Sequence, residues 1–204
     1  MKQLLLDIAP PPLPTLDNFV LGRNAEAVHA LHSALTGKSQ GLIYLWGEQG
    51  CGKSHLIQAC LNQTTALNIT CVDDVHQLDD EAQIALFNTY NQTRETSGIL
   101  IVSGNAAPTN MGLRDDLATR LAWGLVYQLH PLTDSEKTLA LKNHAFERGM
   151  KLPDEVLDYC LRYLRRDLPT LMATLNALDE WSLTTKKSVT VPMLRSLLQL
   201  PLNL

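Results

Sequence analysis

The chain has 204 residues, 45% hydrophobic and 19% charged, with a formal net charge of -4 and an isoelectric point near 5.8. These values allow one sizeable core, or a core with a small satellite domain, and argue against a disordered chain. The acidic balance also argues against a protein whose main task is to grip nucleic acid. Cys51, Cys60, Cys71 and Cys160 show no CxxC spacing and no histidines at zinc-finger spacing, which speaks against a disulfide framework or structural zinc. Leu4-Leu5-Leu6 is too short for a signal-peptide core, and no stretch approaches the ~20 apolar residues of a membrane span, so a soluble, cytoplasmic protein is expected.

Residues 1–14 stand apart as a short apolar peptide followed by the stiff spacer Ala9-Pro10-Pro11-Pro12-Leu13-Pro14. Ala27, Val28, Leu31 and Leu35 predict a helix over Asn24–Leu35, and Leu42–Trp46, bounded by glycines, predicts a strand. A helix from Lys53 to about Gln63, a strand Asn68–Val72, a helix Glu81–Glu95 with Ile84, Ala85, Phe87 and Asn88 near one face, and a strand Ile99–Val102 follow. Leu117–Leu121 reads as a short helix and Leu125–Leu129 as a last strand. Alternating helices and continuous apolar strands imply a mostly parallel sheet covered on both faces.

Beyond Pro131 the pattern turns helical. Thr133-Asp134-Ser135-Glu136 is a capping box opening a helix that stops at Gly149. Helices over Pro153–Leu164, Leu168–Leu183 and Pro192–Leu200 follow, with an extended piece at Ser188–Val191 as the remaining strand candidate. The expected organisation is a tail (1–14), an α/β base (15–130) and a small all-α lid (131–204).

Gly47-Glu48-Gln49-Gly50-Cys51-Gly52-Lys53-Ser54 matches GxxxxGK[ST] at every fixed position and lies between a predicted strand and a predicted helix. Such a loop, with His55 next in the helix, turns backbone amides towards phosphates. In such a loop Lys53 is expected to reach the β- and γ-phosphates and the Ser54 hydroxyl to ligate Mg²⁺. Asp73 at the next strand end is a second Mg²⁺ candidate and Asp74 a candidate to orient an attacking water; a polar strand end or helix cap is the alternative. Ser103 or Asn105, closing the third strand, is placed to sense the γ-phosphate or simply marks a turn. His29 and His32 lack a third converging ligand, so no further metal site is expected.

The phosphate loop, the Asp-Asp strand end, the polar third-strand end, Leu117-Ala118-Thr119-Arg120-Leu121-Ala122-Trp123-Gly124-Leu125 and the helical lid resemble the AAA+ module of the replication initiator DnaA. The closer resemblance is to the Hda family, notably in Tyr44-Leu45-Trp46, Arg120–Gly124, Leu129–Leu132 and an end at the lid with no DNA-binding domain. It implies a P-loop AAA+ α/β base plus an all-α lid, an ADP or ATP cofactor with Mg²⁺, and Phe19, Val20 and Leu21 lining the adenine pocket, where core packing is the alternative. It implies docking on the β sliding clamp through Gln3, Leu4, Leu6 and Ile8, a segment that on its residues alone reads as a frayed terminus or edge strand. It also implies contact with DNA only through the clamp, no membrane partner, and stimulated hydrolysis of DnaA-bound ATP by Arg120 in trans, preventing re-initiation. On the residues alone Arg120 is a surface arginine paired with Asp115 or Asp116.

The chain departs from the family at three points. Pro169 stands where the lid arginine is expected, with Arg165 and Arg166 about a turn away. Only Thr64-Thr65-Ala66-Leu67 separates Gln63 from Asn68, where the family places a further strand and helix, so either the sheet is trimmed to four strands or residues are absent. The full Asp73-Asp74 pair keeps a self-contained P-loop ATPase, working as a loader or remodeller, as the alternative function. A DNA-binding initiator fragment is a third reading, which the acidic charge opposes. A homodimer and the choice between ADP and ATP are left open by the residues.

Overall fold

A computed structural model describes residues 13–38, 41–63 and 68–199. The candidate clamp-binding residues Gln3, Leu4, Leu6 and Ile8, and the connection at 64–67, lie outside the described residues. Two compact units emerge, Leu13–Leu132 and a second beginning at Thr133.

The first unit is built on four parallel strands, β1 (Gly41–Trp46), β2 (Ile69–Val72), β3 (Ile99–Gly104) and β4 (Leu125–Gln128), in the order β2-β3-β1-β4. β1 pairs with β3 from Gly41↔Ile99 to Trp46↔Gly104, and with β4 from Ile43↔Leu125 to Trp46↔Gln128. Period-two alternation sends Leu42, Tyr44, Leu100 and Val102 to one face and Ile43, Leu45, Ile99 and Ile101 to the other. The central strands β1 and β3 are buried on both faces and read as apolar runs, whereas the edge strand β4 leaves Leu125 and Val126 exposed. Helices α1 (Ala25–Leu35) and α2 (Lys53–Asn62) cover the Ile43 face with Leu31, Leu35, Leu56 and Cys60. Helices α3 (Asp80–Glu95) and α4 (Asp115–Ala122) cover the Tyr44 face with Leu86, Tyr90, Leu117 and Leu121.

The face expected for α3 is corrected. Ile84 is exposed, as are Ala85 and Asn88, while Gln83, Leu86, Tyr90 and Thr93 point inward. A buried glutamine wins a core position because both ends of its amide are used: Nε2 donates to the Leu78 carbonyl (3.1 Å) and Oε1 accepts from the Arg114 amide (2.9 Å).

The second unit contains α5 (Asp134–Glu147), α6 (Asp154–Tyr163), α7 (Leu168–Thr185) and α8 (Val191–Gln199). Their core holds Leu141, Leu157, Leu171, Leu175, Leu178 and Leu194. The expected capping box is present at Thr133 and Glu136. The α5 stop is a Schellman turn, with Gly149 at φ +69° and the Gly149 and Met150 amides donating to the Phe146 and Ala145 carbonyls (both 2.9 Å). Residues 187–190 form no strand, and Val189 packs into this core instead. Among the described residues no helix is long and apolar enough to cross a membrane.

A candidate nucleotide site and an unpaired arginine

β1 lies between β3 and β4, so the chain leaves its carboxyl end where the strand order reverses, the place where open α/β sheets leave a crevice for ligands. Gly47 to Gly52 form that exit, and α2 starts at Lys53. Gly50 and Gly52 sit at φ +82° and +98°, in the left-handed region that a side chain resists. A Cβ on Gly52 would lie 2.5 Å from the Phe19 ring, and one on Gly47 would lie 2.3 Å from the Leu129 carbonyl oxygen. Gly52, the residue before the helix, offers no capping side chain, so the first-turn amides of α2 are left as donors for an anion.

Lys53 is 8% exposed. Its ammonium donates to the carbonyls of Gly47 (2.8 Å) and Glu48 (3.0 Å), and lies 3.8 Å from Cys51 Sγ. Among the described residues it has no carboxylate partner. A buried cation compensated only by neutral carbonyls gains strongly from an incoming anion. Burial raises the Cys51 thiol pKa, with Lys53 opposing. His55 stacks at a tilt on Phe19, ring centroids 5.4 Å apart, and Nε2 meets the Thr15 carbonyl at 3.0 Å. Phe19 and His55 thus meet at the loop, whereas Val20 is half-buried and Leu21 exposed.

Asp73 and Asp74 follow β2, at the same carboxyl edge of the sheet as the loop and separated from β1 by β3. The fully buried Ser103 hydroxyl donates to Asp73 Oδ1 in a very short contact, and the Asp74 amide donates to Ser103 Oγ (3.0 Å) and Asp73 Oδ1 (3.1 Å). Asp74 adopts φ +51°, a conformation that Asp tolerates better than most residues. Asn105 and Ser54 are exposed. Ser103 is therefore the third-strand residue joined to the acidic edge. No group of three or more His, Cys, Asp or Glu side chains among the described residues could hold a metal. Mg²⁺ would thus depend on Ser54, Asp73, water and phosphate oxygens, a donor set that suits it.

Arg120 is in the last turn of α4. Asp116 is occupied by Arg114 (3.1 Å), and Arg120 has neither an ion pair nor a side-chain hydrogen bond to any described residue. Its guanidinium lies 4.3 Å from the centre of the Trp123 ring.

Residues 134–198 match the family model described as Hda, lid domain. Domain III of the Thermotoga maritima replication initiation protein DnaA superposes with a TM-score of 0.73 at 22% identity, over 94% of this chain and 98% of that one. AMPPCP-bound DnaA from Aquifex aeolicus gives 0.68 at 20% identity, over 86% and 70%. A Thermotoga maritima RuvB variant gives 0.64 at 16% identity, over 93% and 71%. The structural likenesses establish the AAA+ fold, an α/β base followed by an all-α lid. Residues 134–198 thus match an Hda-type lid domain, and the chain as a whole shares its fold with DnaA domain III and RuvB.

Proposed function

We propose that this protein regulates chromosomal replication initiation. It binds an adenine nucleotide at the Gly47–Ser54 loop, docks on the polymerase sliding clamp through Gln3, Leu4, Leu6 and Ile8, and stimulates hydrolysis of ATP held by the DnaA initiator. The observation that carries this reading is Arg120, an arginine at a helix end with no carboxylate among the described residues to neutralise it. Such a guanidinium, inserted beside a neighbour's γ-phosphate, supplies about 10³–10⁵ in rate. The Hda lid match supports the choice of partner. The AMPPCP complex of a DnaA of the same fold, and the uncompensated Lys53, support the choice of ligand. Residues 1–14 act as the clamp-binding tail on its proline spacer, 15–130 as the nucleotide-binding base and 131–204 as the lid.

Reconstitution tests the reading. Purified protein, DNA-loaded clamp and ATP-bound initiator should yield ADP rapidly, and omission of any one should abolish the acceleration. Equal rates without clamp, or after deletion of residues 1–8, would contradict the docking assignment.

One observation favours a self-contained ATPase: Asp73, Asp74 and Ser103 are hydrogen-bonded together at the sheet edge that carries the phosphate loop. Against it, Pro169 occupies the first turn of α7, and Arg165 and Arg166 pair with Asp167 (3.5 Å) and Asp134 (3.6 Å) within the lid. Steady-state turnover by the protein alone, abolished by Asp74→Asn, would favour the ATPase.

A further inference from the structure

We propose that Trp123 is the positioning residue for Arg120: its indole holds the guanidinium extended by stacking, so that no hydrogen-bond donor is spent in holding it. This assignment rests on the trans-acting reading of Arg120 and adds what makes that arginine competent.

The geometry starts with the frame. Leu117 and Leu121 are completely buried and fix α4 on the sheet. Immediately after Trp123, Gly124 passes so close to β1 that a Cβ there would lie 2.6 Å from both Cγ and the carbonyl oxygen of Leu42. The Trp123 amide closes the helix on the Arg120 carbonyl (3.1 Å). Both side chains therefore spring from backbone held on two sides, three residues apart, on adjacent helical turns.

Trp123 is 62% exposed, an unusual place for the largest apolar side chain. Its described contact of consequence is the guanidinium, 4.3 Å from the ring centre. The nearby carboxylate that would otherwise capture an arginine, Asp116, is held by Arg114 through both Nε (3.3 Å) and a terminal nitrogen (3.1 Å). Stacking and salt bridging differ in what they leave over. A carboxylate fork consumes the in-plane N–H donors and cancels the charge, whereas an aromatic face engages only the π surface and leaves that plane of donors for a phosphate. Arg120 Nε is enclosed with no acceptor among the described residues, so the donors left for a phosphate are those of the terminal nitrogens, and the charge is already partly desolvated before any partner arrives.

The test is a double-mutant cycle in the reconstituted hydrolysis assay, with maximal rate and half-saturating protein concentration measured separately. Trp123→Ala should lower the maximal rate about tenfold, the scale of a partly desolvated cation–π contact, with the half-saturating concentration within about threefold of wild type. Trp123→Phe should recover most of the rate. In an Arg120→Ala background, Trp123→Ala should cost nothing further. A loss that persists in that background, or one confined to half-saturation, would make Trp123 a separate contact with the initiator and overturn the assignment.

A second measurement needs no partner. The Arg120 Nε–H NMR resonance should lose its ring-current displacement in Trp123→Ala, and an unmoved resonance would overturn the stack itself. Full activity of Arg120→Ala would overturn the trans reading and this assignment with it. A displacement still seen in wild type would then locate the fault in the reading and not in the geometry.

Discussion

Asn24 holds the backbone of His130 at both ends of its carboxamide: Nδ2 donates to the His130 carbonyl (2.9 Å) and Oδ1 accepts from the His130 amide (2.8 Å). The pair joins the start of α1 to the segment leaving β4. One residue earlier, the Leu129 amide donates to the Trp46 carbonyl (2.6 Å), and the Leu129 carbonyl oxygen fills the space where Gly47 lacks a side chain. Asn24 thus fixes the strand exit against which the first residue of the phosphate loop packs. Its side chain is 3% exposed, so loss of the amide leaves polar groups poorly solvated. Asn24→Ala should cost about 1–3 kcal/mol in a urea titration. It should also weaken ADP binding by calorimetry, and Asn24→Asp, which cannot donate to the His130 carbonyl, should fare no better at neutral pH.

Gly52→Ala meets two obstacles, a left-handed backbone at φ +98° and the Phe19 ring 2.5 Å from the new methyl. The backbone strain alone costs about 1–3 kcal/mol. Phe19→Ala in the same chain should recover only the steric share of the loss. Thermal melts of the two single variants and the double variant separate these contributions.

Lys53→Met should separate binding from stability. The ammonium is buried without a counter-charge among the described residues, so replacing it with an apolar chain of similar length should leave the ligand-free melting temperature unchanged or raised. The stabilisation produced by ADP should vanish. A variant that still gains stability with ADP would remove Lys53 from the site.

The thiols give a check on the fold. Burial pushes Cys60 up to about 12, with Cys71 adding to the rise, and burial pushes Cys71 and Cys160 each up to about 11. Only the thiolate reacts. Iodoacetamide at pH 8 should label these cysteines slowly in the folded protein and rapidly in urea, followed by mass spectrometry.

Much of this fold is legible in the sequence because its signals are local. The phosphate-loop spacing, the apolar strands and the Thr133–Glu136 box each lie within a few residues, and each appears where expected. What the sequence hides depends on distant partners. The Asn24–His130 clasp spans 106 residues, and local spacing marks Asn24 only as the start of a helix. Gln83 is buried because Leu78 and Arg114 satisfy it, and Ile84 is exposed although its composition suggests core. At the candidate site, Ser103 and not Asn105 meets the acidic edge, since Ser103 lies within the buried strand β3 whereas Asn105 follows its end and is exposed. The Arg120–Trp123 stack is the case a local rule could reach: i and i+3 at a helix end, with Asp116 taken by Arg114.

The central claim is that Arg120 acts on a triphosphate held by another molecule. Single-turnover ADP formation from labelled ATP preloaded on the initiator, with clamp on DNA, tests it most directly. Wild-type protein should accelerate the reaction, and Arg120→Ala should still bind clamp and ADP yet lose the acceleration by about 10³-fold or more. Equal acceleration by Arg120→Ala would contradict the account.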